Sequence, residues 1–352
     1  MLTMPTSSSL ARCPLFGTCG GCQYQDIPYA QELQLKEQSL RDGFAQSGLH
    51  DDGLIWSKIV ASPKEYNYRS RLDMKFLKTR NGEVFMGFSP AARYRVVPVE
   101  SCSLAMEPVS DFLPELKRQA AAKLPGHYRN ANLVVKTGDD GRVFWGGIGR
   151  RSLRMKPEDY LWTEATGRRI FYSLDTFFQA NLSILGALIQ VIENLGVLNK
   201  ATTLYDFYGG VGLFAVSLYD KVKEVALVEE NPFSAELARF NAAHHGLDRL
   251  CVLNGCLEDE GPRLAEGMAH QRPVIIIDPP RKGLSPTAAS WVSSLTRPRH
   301  CLYLSCDAQS LIRDLGIFQK NDWRIERVIP FDFFPKTRHT ETLAVLSRKG
   351  SL

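Results

Sequence analysis

Leu204-Tyr205-Asp206-Phe207-Tyr208-Gly209-Gly210-Val211-Gly212 decides the fold of this chain of 352 residues. An apolar run that reads as a buried strand passes into a glycine-rich turn and then into an apolar helical pattern. Glycine permits the tight turn and lets a ligand approach the backbone closely. Glu229 ends the next predicted strand, seventeen residues beyond Gly212, where nucleotide-binding folds place an acidic side chain against ribose hydroxyls. Ala215 stands at the third position of a G-x-G-x-x-G/A fingerprint, so the spacing admits a dinucleotide. Asp206-Phe207-Tyr208 and the Asp278-Pro279-Pro280 further on turn the reading toward S-adenosylmethionine, with Gly210, Glu229 and Asp278 around it.

Outward from this turn, apolar strands alternate with amphipathic helices. Strands are predicted at 203–207, 224–228, 250–254, 274–278, 301–304, 323–329 and 343–346, and helices at 178–195, 211–219, 233–245, 286–295 and 309–318. This alternation predicts an α/β, doubly wound, Rossmann-like domain over residues 171–352, with a parallel sheet. Upstream, residues 56–170 read as β-rich, with turn signals at Asn81-Gly82 and Asp140-Gly141 and one helix at 108–123. Residues 1–55 hold a polar tail, a Cys/Gly-rich loop and a helix that Pro28 opens.

Hydrophobic residues make up 44% of the chain, enough for a sizeable core. No apolar run approaches the ~18 residues of a membrane span, and the N-terminus lacks the blocks of a secretory signal. The expected location is the cytoplasm. The formal net charge is +5, but residues 56–155 carry 18 Lys+Arg against 9 Asp+Glu, which leaves the remainder slightly acidic. A basic central section suits RNA, and a solvated basic face is the plainer alternative. Candidate phosphate contacts are Arg69, Arg71, Lys75, Lys78 and Arg80, extended by Arg93, Arg95, Arg150, Arg151 and Arg154. No obligatory protein partner is implied.

Cys13, Cys19 and Cys22 follow a C-x5-C-x2-C spacing in which Gly17, Gly20 and Gly21 let a short loop wrap several thiolates around one centre. A single CxxC without a nearby downstream histidine is unusual for zinc, and a cubane iron–sulfur cluster needs a fourth thiolate. Cys102 is the best candidate. A [4Fe-4S] cluster is the leading expectation, with zinc, disulfides or free thiols as alternatives. Cys251, Cys256 and Cys301 lie in or beside predicted strands and carry no assigned chemistry.

Cys306 ends the predicted strand 301–304, and Asp278 ends the strand 274–278. In open α/β sheets ligands bind beyond the carboxyl ends of strands, so the two share a pocket. Cys306 offers a nucleophile there, and Glu341, ahead of the last apolar strand, offers a base. The thiolate needs support from Arg281, Arg338 or the N-terminus of the helix near Gln309.

Phe177-Phe178-Gln179-Ala180-Asn181, Asp206-Phe207-Tyr208-Gly209-Gly210-Val211-Gly212, Asp278-Pro279-Pro280-Arg281-Lys282-Gly283, Ser305-Cys306-Asp307 and His339-Thr340-Glu341-Thr342 occur in this order. Together they resemble the motifs of the RNA 5-methyluridine (uracil-C5) methyltransferases, over nearly the whole chain from Cys13. The resemblance implies that Gln179, Tyr208, Glu229 and Asp278 contact S-adenosylmethionine, that Cys306 is the nucleophile and that Glu341 is the base. It also implies a [4Fe-4S] cluster on Cys13, Cys19, Cys22 and Cys102, the pattern of members that act on 23S rRNA. Three positions depart from the family: Gly209 replaces a common Cys or Ser, Cys256 replaces an Asp near the adenine with Glu258 as a possible substitute, and Asp307 replaces Asn.

The implied reaction begins with thiolate attack on uracil C6, which makes C5 nucleophilic. Methyl transfer to C5, loss of the C5 proton and expulsion of the thiol follow. Phe177 and Phe178 are candidate base stackers or core residues. Methylation of 23S rRNA is the leading reading. The alternatives are the same chemistry on tRNA and a non-catalytic RNA-binding iron–sulfur protein.

Overall fold

The computed structural model describes residues 10–49, 52–88, 96–126, 128–149, 151–164, 166–268 and 272–348. Arg93, Arg95 and Arg150 lie outside the described residues. The chain begins with α1 (Tyr29–Ser47) and β1 (Ile55–Trp56). The β-rich section follows as β2 (Arg71–Lys78), β3 (Val84–Phe88), β4 (Val97–Pro98), α2 (Glu107–Lys123), β5 (Asn130–Thr137) and β6 (Val143–Gly146). These strands form one sheet in the order β4-β3-β2-β5-β6. On β2, Leu72, Met74 and Phe76 point to one face and meet Val109, Leu113 and Leu116 of α2, while Asp73 and Lys75 point outward. That alternation is the period of two of a half-buried strand. A hairpin of β7 (Leu161–Thr163) and β8 (Ile170–Tyr172) leads into the catalytic domain.

There the elements are α3 (Leu185–Asn194), β9 (Thr202–Phe207), α4 (Leu213–Ser217), β10 (Glu224–Glu229), α5 (Pro232–His244), β11 (Leu250–Asn254) and α6 (Leu257–Met268). They continue as β12 (Arg272–Ile277), α7 (Pro286–Ser294), β13 (His300–Ser305), α8 (Ala308–Lys320), β14 (Trp323–Phe331) and β15 (Glu341–Arg348). The sheet order is β1-β14-β15-β13-β12-β9-β10-β11. Strands β9 to β13 pair in parallel, but β15 runs antiparallel to both β13 and β14. The expected wholly parallel sheet is therefore mixed. The short connection from β14 to β15 has no room for a crossover helix, so the two strands form a hairpin-like pair.

Successive residues of β9 go to opposite faces: Leu204 joins the layer with α3, α4 and α5, and Tyr205 and Phe207 join the layer with α1, α7 and α8. Helix α1 places Leu40 and Phe44 in that second layer, and β1 pairs with β14, so both pack on the catalytic sheet rather than beside the cysteine loop alone. The helix expected from Phe178 begins later. Residues 178–181 are not helical: Ser70 N–H donates to Ala180 O at 2.8 Å, and Asn181, itself extended, caps the turn that leads into α3.

Candidate active site and cysteine cavity

The glycine turn after β9 is built as a cradle. Tyr208, Gly210 and Gly212 have φ of 59°, 57° and 95°. A Cβ on Gly210 would meet nothing within 4 Å, so the backbone there is open to a ligand. Glu229, at the end of β10, closes the turn by accepting from Gly210 N–H at 2.9 Å and from Asn231 N–H at 2.7 Å. Burial raises its pKa.

Asp206 is fully buried on β9. One carboxylate oxygen accepts from Ala215 N–H at 3.0 Å, and the other has no partner. Burial pushes its pKa up to about 8, with the Asp278 and Glu229 charges adding to the rise. A cavity of about 400 Å³ opens beside the turn, lined by Tyr208, Glu230, Glu258, Lys282, Ser285 and Arg313 among others. Glu258 lines it and accepts from Ser285 Oγ at 2.5 Å, whereas Cys256 turns to Asp259. An open cradle, an unpartnered buried carboxylate oxygen on the strand that leads into it and a carboxylate at the neighbouring strand end fit a nucleoside with a cationic tail such as S-adenosylmethionine.

The catalytic candidates gather at the carboxyl ends of β12, β13 and the start of β15. Gln179 Nε2 donates to Asp278 Oδ2 at 3.2 Å, joining the 178–181 run to the end of β12. Glu341 is 2% exposed. Burial, with Asp278 as the nearby like charge, holds its pKa well above the carboxylate range, and Arg281 opposes this. Burial likewise raises Asp278 to about 7 against the Gln179 hydrogen bond. The Cys306 thiol is pushed up to about 11, chiefly by burial and then by Glu341 and Asp278, with Arg281 acting to lower it. Of the three proposed supports for a thiolate, Arg281 is the one whose charge acts on Cys306. Asp307 caps α8 by accepting from Ser310 N–H at 2.8 Å, which places Cys306 immediately before that helix N-terminus.

Two supporting side chains carried no sequence signal. Asp314, buried on α8, accepts from Leu284 N–H at 2.8 Å and from Tyr303 Oη at 2.6 Å, fixing the loop after Asp278-Pro279-Pro280. Lys136, buried on β5, donates to the carbonyls of Ser173 and Thr176 at 2.7 and 2.6 Å. The turn it holds presents Phe177, which is 65% exposed, while Phe178 stacks on Tyr172 in the core with ring centroids 4.4 Å apart. Phe178 is thus a core residue, and Phe177 is exposed.

Cys13, Cys19, Cys22 and Cys102 line one cavity of about 350 Å³, whose wall also includes Leu15, Leu72, Phe88, Val99 and the Arg69 side chain. All four are free thiols. Gly17 and Gly20, at φ of 80° and 76°, turn the loop as expected. Burial, assisted by the neighbouring thiols, raises Cys22 to about 11 and Cys19 in the same direction. Among the described residues no group of three or more His, Cys, Asp or Glu side chains converges where a single metal ion could sit. Four thiols lining one cavity form a set of soft donors of the kind that holds zinc or an iron–sulfur cluster.

The family model described as tRNA (Uracil-5-)-methyltransferase matches residues 157–349. An RNA methyltransferase of Clostridium tetani is 27% identical over 97% of this chain and 85% of its own length. A 23S rRNA (uracil(1939)-C(5))-methyltransferase of Idiomarina loihiensis is 27% identical over 96% of this chain and 82% of its own. The crystal structure of Pyrococcus abyssi tRNA (uracil-54, C5)-methyltransferase with S-adenosyl-L-homocysteine superimposes with a TM-score of 0.70 at 20% identity, covering 98% of this chain and 88% of that one. That likeness shows a shared fold.

Proposed function

The chain belongs to the tRNA (uracil-5-)-methyltransferase family and is an S-adenosylmethionine-dependent RNA (uracil-C5) methyltransferase; we propose that it modifies a uridine of 23S rRNA through a covalent bond between Cys306 and uracil C6. The observation that carries this reading is the convergence of Cys306, Glu341, Asp278 and Gln179 at adjacent strand ends.

S-adenosylmethionine, held by Tyr208, Gly210, Glu229 and Asp278 with Gln179 beside them, supplies the electrophilic methyl group. The Cys306 thiol first releases its proton to solvent, which leaves the Glu341 carboxylate unprotonated for the later step. Cys306 then adds to C6, and the electron pair moves to C5 and the O4 carbonyl. After C5 is methylated, Glu341 removes the C5 proton. The electron pair reforms the C5–C6 double bond, and the thiolate leaves. Arg281 offsets negative charge while Cys306 is ionised, and Phe177 is placed to stack on an extruded base.

Cys13, Cys19, Cys22 and Cys102 are proposed to hold a [4Fe-4S] cluster. When bound, it ties the N-terminal loop to the five-stranded sheet, because the binding free energy of such a group is also folding free energy. Lys75 and Lys78 on β2 and Arg80 just beyond it are proposed as phosphate contacts.

The 23S assignment is supported by the Idiomarina relative and by the four-thiol cavity. Incubation with methyl-labelled cofactor and either 23S rRNA fragments or tRNA transcripts, followed by mapping of 5-methyluridine, tests it. Label confined to rRNA is expected. Label confined to tRNA replaces the substrate, and label in neither overturns the activity.

A further inference from the structure

Glu341 enters the site from a loop that is held by the N-terminal part of the chain. Residues 332–340 connect β14 to β15, and Glu341 pairs with Phe331 at the very end of that ladder. Asp332 accepts from Lys36 Nζ at 2.6 Å and from Tyr29 Oη at 2.8 Å, both on α1. Lys336 N–H donates to Glu32 Oε1 at 2.6 Å. The Lys336 carbonyl accepts from the N–H groups of Gln23 and Tyr24 at 2.9 and 3.1 Å. Its Nζ lies 2.9 Å from Glu65 and 3.4 Å from Glu32.

Lys336 is an improbable choice on local grounds. Its φ is 65°, a region that penalises any residue with a Cβ, and the residue is 2% exposed, where an ammonium needs close partners. Glycine would relieve the backbone but remove every side-chain grip. A strained, buried and charged residue whose ammonium sits between two carboxylates points to a constraint served by its side chain. Gln23 and Tyr24 directly follow Cys22, so the cysteine loop, α1 and the Glu341 loop meet at this residue.

We infer that Lys336 is a positioning residue for the C5-deprotonation step: by clamping the 332–340 connection to α1 and the cysteine loop, it fixes where the Glu341 carboxylate stands. The inference rests on the reading of Glu341 as the base. The charges acting on Glu341 are those of Asp278 and Arg281, so the influence of Lys336 is geometric.

The test is a single-turnover reaction with methyl-labelled cofactor and RNA, followed on denaturing gels for parent, Lys336→Ala, Glu65→Ala and Glu341→Gln. Lys336→Ala is expected to form the labelled protein–RNA adduct within about twofold of the parental rate and to resolve it at least ~10-fold more slowly, since sub-ångström misplacement of a reacting group is costly. Glu65→Ala, which removes one outer partner and spares the core, is expected to slow resolution about two- to threefold in the same sense. It carries the test if Lys336→Ala does not fold. Resolution at the parental rate in both variants, with adduct accumulating in Glu341→Gln, overturns the role of Lys336 alone. An equal fall in adduct formation and resolution marks a general structural role and also overturns it. Absence of adduct in Glu341→Gln removes the base assignment and this inference with it.

Discussion

Gln179 Nε2 donates to Asp278 Oδ2 at 3.2 Å, and this contact opposes the burial of the Asp278 carboxylate. Asp278 nevertheless sits at about 7, and Asp206, farther inside, at about 8. Burial thus makes negative charge costly at both carboxylates, and a bound cation would offset that cost.

That charge makes stability depend on pH. Both folded-state values lie above the unfolded carboxylate range, so the folded protein binds more protons between about pH 4 and 8. Stability then falls as pH rises through 7 and 8 and is regained on acidification. Melting temperature of the free protein should rise by a few degrees from pH 8.5 to 6, and Asp206→Asn should flatten the slope. Gln179→Leu removes the bond that favours ionised Asp278 and should extend the decline to higher pH. An unchanged slope in Asp206→Asn would clear Asp206 as its source.

The Cys306 thiol offers a second pH readout. At about 11 its thiolate fraction rises nearly tenfold per pH unit across 7 to 10, and so should its alkylation by iodoacetamide, followed by peptide mass spectrometry. Glu341→Gln deletes a neighbouring negative charge and should speed alkylation at pH 8 severalfold. A plateau below pH 9 in the parent would mean that the thiol is activated more strongly than the geometry implies.

Much of this site was legible because strand ends announce themselves. Asp278, Glu229 and Cys306 each follow an apolar run of strand length, and the open-sheet rule turns those positions into one pocket. The reading failed where distant partners override local pattern. Phe178 to Asn181 has helical periodicity, yet Ser70 claims the Ala180 carbonyl. Helix α6 was missed because Gly261 and Pro262 read as breakers, although Gly261 lies where a Cβ would meet the Trp291 ring at 2.6 Å. Glu32 and Lys36 look like a solvated i,i+4 pair, but both are buried against Asp332 and Lys336. No local window contains that information.

Gly209 departs from the Cys or Ser common in the family, and the packing around it accepts glycine only. A Cβ there would lie 2.4 Å from Leu227 Cγ. Gly209→Ala should destabilise the fold by about 1–3 kcal/mol through overpacking, measured by denaturant titration. Leu227→Ala in the same chain should recover part of the loss of cofactor affinity that accompanies it.

The four-thiol cavity predicts colour. Protein purified without oxygen should be brown and carry about four irons per chain. Serine at Cys13, Cys19, Cys22 or Cys102 should abolish the absorbance, whereas Cys251→Ser, at an exposed thiol outside the cavity, should retain it. Colourless protein with one zinc per chain would replace the cluster.

The catalytic pair gives the most direct test of mechanism. Cys306→Ala has no group to add to C6, so it should neither methylate RNA nor form an adduct. Glu341→Gln keeps the thiol and loses the acceptor for the C5 proton, so methyl transfer should proceed and then stall with RNA attached to Cys306. A denaturing gel with methyl-labelled cofactor should show a slow, labelled protein–RNA band for Glu341→Gln and none for Cys306→Ala. Elimination needs the proton to leave before the thiolate can, so the band should persist for far longer than one parental turnover. Parental turnover by Glu341→Gln would assign the proton to another group, with Asp278 the nearest carboxylate to consider. Methylation by Cys306→Ala would refute covalent attack altogether.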